Sequence, residues 1–73
     1  MTLELHFRET RERIALVGLH IRRQRQIIRD LEQRGHDATS AKTTLQILED
    51  AQIAHFLEAE RLIKELTLFP PKG

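Results

Sequence analysis

Cysteine is absent from the 73 residues, so neither disulfides nor thiolate metal sites can staple this chain. Tryptophan and tyrosine are absent too, leaving three phenylalanines and none of the interleaved aromatics on which nucleic-acid bases stack. No apolar run approaches the roughly 18 residues of a membrane span. The opening Met1-Thr2-Leu3-Glu4-Leu5-His6 lacks the basic start and long apolar core of a signal peptide, which leads us to expect a cytoplasmic protein. Glycine and proline are scarce, at three and two residues, and they stand only at Gly18, Gly35, Gly73 and the pair Pro70-Pro71. Everything between them is rich in helix formers.

A chain this short seldom buries enough apolar surface to offset its own ordering entropy, and the two usual covalent or metal staples are missing. Self-association is the remaining ordinary solution. The formal charge of +1 is too small to imply a partner, but it is uneven. Residues 1–35 hold eight arginines against five acids, a balance of +3, while residues 36–73 hold four basic and six acidic groups, a balance of −2. The two halves attract one another.

The expected architecture is all-α: an antiparallel two-helix hairpin, coiled-coil-like, that dimerises into a four-helix bundle. Residues 1–68 form the hairpin, with helix 1 over about 2–34, a turn at 35–37 and helix 2 over about 38–68, before a short Pro-containing tail at 69–73. Gly35 suits the left-handed residue after a helix end, and Asp37 suits the cap of the next helix. A short turn makes the helices antiparallel neighbours.

Both helices carry a heptad. Phe7, Ile14, Ile21 and Ile28 occupy a in helix 1, with Leu3, Thr10, Val17, Gln24 and Leu31 at d. Helix 2 has Leu45, Gln52, Ala59 and Leu66 at a, with Ala41, Leu48, His55, Leu62 and Phe69 at d. Centring the turn on residue 36 predicts the layers Leu31–Leu45, Ile28–Leu48, Gln24–Gln52, Ile21–His55, Val17–Ala59, Ile14–Leu62, Thr10–Leu66 and Phe7–Phe69. The flanks then pair Arg13 with Glu65, His20 with Glu58, Arg25 with Glu49 and Glu32 with Lys42, and Gly18 faces Phe56. Gln24, Gln52 and His55 form a polar layer in this seam, best read as a register device that excludes slipped pairings.

The most informative surplus is apolar residues outside the seam. Ala15, Gly18, Ile53, Phe56 and Ile63 share the b and e flank, with Leu19 at its edge, and this flank is the predicted interface. The opposite flank, with Arg13, His20, Glu58 and Glu65, is expected to be mostly polar. Leu16, Ile47 and Leu57 exceed what one interface explains and point to a further contact surface.

The function expected from these features is a non-enzymatic interaction or scaffold module, a homo-oligomer with a dimer favoured, open to an unidentified protein partner. No activated nucleophile, phosphate-cradling loop or paired-carboxylate cleft is present, and no cofactor is implied. Two alternatives remain. His20 and His55 could hold a metal in a bundle core, although the Glu-x-x-His pattern of di-iron bundles is broken by Gln52. Arg22, Arg23, Arg25 and Arg29 form a weak basic patch for nucleic acid or an acidic surface.

The stretch from His20-Ile21-Arg22-Arg23-Gln24-Arg25 through Leu31-Glu32-Gln33-Arg34-Gly35-His36-Asp37, with Leu48-Glu49-Asp50-Ala51-Gln52-Ile53-Ala54-His55, resembles a group of short uncharacterised helical-hairpin proteins of alphaproteobacteria such as rhizobia. The resemblance covers roughly residues 20 to 66. It implies a bacterial cytoplasmic protein and carries no activity.

Overall fold

The structure is a computed structural model in which residues 2–68 are described. Helix α1 spans Leu3–Gln33 and α2 spans Thr39–Leu68, and no strand occurs among the described residues. The Phe7–Phe69 layer and the tail at 69–73 lie outside them.

Local chemistry accounts for each described end. Thr2, extended at φ −84° and ψ 159°, accepts the Leu5 N–H at 3.1 Å through its hydroxyl, and Glu4 places negative charge at the positive end of the helix dipole. At the other end Gly35 adopts φ 73°, the left-handed conformation that a Cβ disfavours. Its N–H donates to the Glu32 carbonyl at 3.1 Å and the His36 N–H donates to the Leu31 carbonyl at 2.8 Å. This is the paired closure of a Schellman motif, and it satisfies two carbonyls the helix would otherwise leave open. Asp37 then accepts from both the Thr39 N–H at 3.0 Å and the Thr39 hydroxyl at 2.6 Å. The first backbone bond of α2 runs from the Lys42 N–H to the Ala38 carbonyl at 2.9 Å. The cap expected at Asp37 is thus present, while the connection covers 34–38 instead of three residues.

Side by side, the helices form a rod with principal extents of 59 × 16 × 15 Å. Every described a and d residue of the heptad is buried or half-buried, so the seam lies where the repeat placed it. Ile21, Ile28, Ala38, Ala59 and Leu62 form its apolar centre, with Thr10 and Gln52 as buried polar members. Thr10 satisfies its hydroxyl by donating to the His6 carbonyl at 2.9 Å, one turn back.

The register within that seam differs from the expected one by a heptad. Gln24 and Gln52 do not meet. The Gln24 amide donates to the Ala41 carbonyl at 3.0 Å and the Gln52 amide to the Ile14 carbonyl at 2.8 Å, each crossing to the backbone of the opposite helix. Glu58 pairs across the seam with His6 at 3.7 Å, not with His20. Together with Arg25–Glu49 at 3.7 Å and Lys42–Glu32 at 3.2 Å, these contacts centre the hairpin so that Leu31 lies opposite Ala38 and Ile28 opposite Ala41. Gln24 then faces Leu45, Ile21 faces Leu48, Val17 faces Gln52, Thr10 faces Ala59 and Phe7 faces Leu62.

The cause is at the turn. A seven-residue repeat looks the same after a shift of seven, so only the reversal point selects among registers. The chain turns back directly after Arg34 at Gly35, and Ala38, 6% exposed, already fills a core position. Large residues of α1 thereby face alanines near the turn, where the five-residue connection holds the helices close. The expected Arg13–Glu65 pair is lost with the old register: Arg13 pairs with Glu9 on its own helix at 3.9 Å, and Glu65 with Arg61 on its own.

Two outcomes follow from the turn. Replacing Gly35 by Ala should cost about 1 kcal/mol, because nothing lies within 4 Å of the added Cβ and the whole penalty is left-handed backbone; unchanged urea unfolding would contradict that conformation. The Thr39 hydroxyl and N–H hold the Asp37 carboxyl below its ordinary value. A folded-state depression contributes stability above the unfolded value near pH 4 that is lost as pH falls through the folded one. Asp37→Asn, which keeps the capping oxygen without the titration, should therefore flatten the acid limb of a helicity-against-pH curve.

Candidate association surface

In an antiparallel pair the b and e positions of both helices lie on one flank and the c and g positions on the other. The first flank carries Ala15 and Gly18 from α1 beside Ile53, Phe56 and Ile63 from α2. Ile53, Phe56 and Ile63 are 58%, 54% and 50% exposed, a large unspent apolar surface for so small a chain. Leu19 lies at its edge at 38%, as expected, and Ala15 is exposed.

Two shallow hollows run along this flank. One, of about 300 Å³, is lined by Ile21, Arg25, Glu49, Gln52, Ile53 and Phe56, and the Arg25–Glu49 ion pair crosses it. The other, of about 240 Å³, is lined by Arg8, Arg11, Glu12 and Ala15 on α1. The Arg11 guanidinium lies 5.9 Å above the Phe7 ring, covering that half-buried aromatic from solvent. Both hollows are wide open and mostly apolar, a form suited to receiving side chains of another helix more than to enclosing a substrate.

Gly18 has a different role from the one expected of it. A Cβ built there would meet only the Gln52 Nε2, at an ordinary 3.6 Å, so Phe56 does not require the glycine. Nothing within the hairpin explains the missing side chain. Ala15 and Gly18 thus present little or no side chain on the α1 side of the flank, beside the bulky Ile53 and Phe56 of α2.

The polar layer is resolved into two separate cross-helix clamps. Gln24 and Gln52 each use the amide N–H on a backbone carbonyl, and His55 is half-buried at its seam position. Gln52 Oε1 is buried without a hydrogen-bond partner. The three residues are therefore not gathered into one site. Nor are the arginines. Arg22, Arg25 and Arg29 share the b and e flank, where Arg25 is tied to Glu49 and Arg29 donates to the Gln26 side chain at 2.8 Å, while Arg23 falls on the opposite flank. Among the described residues no three His, Cys, Asp or Glu side chains gather in a metal-binding group, at His20 and His55 or elsewhere.

The second flank is polar at most of its c and g positions, including His6, Arg13, His20, Glu58 and Glu65, and carries apolar residues among them. Leu16, Ile27 and Ile47 are exposed on it, at 55%, 46% and 63%, interspersed with Ala51 and Ala54. Ile27 was missed because it follows Gln26 in a basic stretch and belongs to neither the a nor the d series. At the far end of this flank Glu58 is held below the ordinary carboxylate range, chiefly by the Arg61 hydrogen bond, with smaller attractions from Arg61 and His6 charge. Leu57 points outward on the back of α2, 61% exposed.

The clamp at Gln52 yields a direct test. Gln52→Leu gives up one hydrogen bond worth about 1 kcal/mol and removes a buried unpartnered oxygen costing about 1–3 kcal/mol. Urea unfolding should show stability unchanged or raised, and a loss beyond about 2 kcal/mol would show that the oxygen is engaged.

No protein-family model matches the chain, and no curated protein and no solved structure shows significant similarity to it.

Proposed function

We propose that this chain is a non-enzymatic interaction or scaffold module that self-associates through the flank of Ala15, Gly18, Leu19, Ile53, Phe56 and Ile63 to form a homodimeric four-helix bundle. The observation that carries this reading is the exposure of Ile53, Phe56 and Ile63 on one side of a hairpin whose fully buried apolar residues, among those described, are Ile21, Ile28, Ala38, Ala59 and Leu62. Covering that flank adds Ile53, Phe56 and Ile63 to the apolar core, which supplies the staple a small hairpin needs. The second flank, with Leu16, Ile27 and Ile47, supports either a larger assembly or an additional protein partner. The open hollows favour this class over catalysis, since neither excludes water from a bound molecule. The cytoplasm of a bacterium is the setting this proposal adopts, in keeping with the alphaproteobacterial resemblance. No helix among the described residues is long and apolar enough to cross a membrane.

The test is the absolute mass in solution, by light scattering after size exclusion across a range of concentrations. A dimer of the 8.6 kDa chain, or a higher oligomer, supports the reading, and Phe56→Glu should shift it toward monomer because Phe56 is more than half exposed within its own hairpin. A folded monomer at all concentrations overturns it.

A further inference from the structure

Self-association leaves open how two hairpins would face one another, and the register described above decides it. Ordered by height along the rod, the α1 side of the b and e flank reads Arg8, Arg11, Ala15, Gly18, Arg22, Arg25, Arg29. At matching heights the α2 side reads Ile63, Glu60, Phe56, Ile53, Glu49, Gln46, Lys42. The α1 side is therefore small in the middle and basic at either end. The α2 side is bulky in the middle, with a carboxylate on each side of the bulk.

We propose that the second copy docks with its two-fold axis parallel to the helices, so that α1 of each chain lies on α2 of the other. Through the middle of the flank this sets complementary features face to face, while toward the turn Arg29 comes level with the partner's Lys42. Phe56 and Ile53 of the partner subunit pack over the small residues Ala15 and Gly18, which gives a use to a glycine whose Cβ the hairpin itself would accommodate. Arg8 and Arg11 meet Glu60 of the partner subunit, and Arg22 meets the partner's Glu49. The hollow between Arg8, Arg11 and Ala15 receives the partner's Ile63. The alternative, an axis perpendicular to the helices, lays α1 along α1 and α2 along α2. It stacks the five arginines of one chain against those of the other, sets Glu60 near the partner's Glu49, and lays Ala15 and Gly18 against small residues instead of an aromatic. Area does not stand in the way, since a face of 59 × 16 Å offers about 900 Å² per chain against about 800 Å² in a standard interface.

This inference rests on the proposed self-association, and one experiment separates the two. Because the chain has no cysteine, single Ala15→Cys and Ile53→Cys chains can be mixed and treated with a short thiol cross-linker while mass is followed by light scattering. Single variants are needed because Ala15 and Ile53 of one chain share a flank. The expected result is a dimer in which the mixed Ala15→Cys with Ile53→Cys product dominates and Ala15→Cys alone gives little product. A dimer in which Ala15→Cys links to itself would overturn the orientation and leave self-association standing. A dimer that gives neither product would move the interface to the Leu16–Ile47 flank and also overturn it. A monomer would overturn both. As an independent readout, Glu49→Arg with Glu60→Arg should weaken dimerisation by at least about tenfold at low salt, since like charges then face one another across the interface; an unchanged dimer would contradict the charge pairing.

Discussion

The reversal of the chain at Gly35 governs the rest of this hairpin. A heptad specifies a seam but is indifferent to sliding by seven residues, so the position of one left-handed residue selects which side chains oppose one another over the full length of the rod. Because the Schellman closure occurs immediately after Arg34, Ala38 enters the core instead of the turn. Every layer and flank pair then follows. The carbonyl clamps from Gln24 and Gln52, and the ion pairs His6–Glu58, Arg25–Glu49 and Glu32–Lys42, are consequences of that choice.

These polar contacts act more on specificity than on stability. The cross-helix ion pairs lie at partly exposed positions, where each is worth at most about 1 kcal/mol. The buried Gln52 amide reaches the Ile14 carbonyl while leaving its own oxygen unpartnered. A hairpin slipped by seven residues would exchange both clamps for a Gln24–Gln52 contact, so the clamps mark the register more than they enforce it. The apolar centre is thin by comparison, and the large exposed residues on the two flanks exceed what one seam can absorb.

That excess connects the fold to the proposed role. Ile53, Phe56 and Ile63 on one side, and Leu16, Ile27 and Ile47 on the other, are surfaces whose burial requires another chain. The small Ala15 and Gly18 beside bulky Ile53 and Phe56, with arginines on α1 and the carboxylates Glu49 and Glu60 on α2, give the first of these flanks the asymmetry from which the orientation of a second copy is proposed. The arginines belong to this pattern better than to a nucleic-acid surface, since Arg25 is already engaged and Arg23 lies on the far flank.

The sequence alone determined the helices, the turn between them, the a and d seam and the apolar b and e flank, because these depend on local spacing: a residue's face follows from its position in the repeat, and Gly35 and Asp37 act on neighbours within a few residues. Arg25–Glu49 and Glu32–Lys42 were also legible. Tertiary structure decided the register, the separation of Gln24 from Gln52, and the pairing of Glu58 with His6 rather than His20. The reason is the self-similarity of a seven-residue repeat: sliding by one heptad preserves every local preference and changes only which distant residues meet, and that difference is settled by whether the chain can turn back at Gly35 while Ala38 packs.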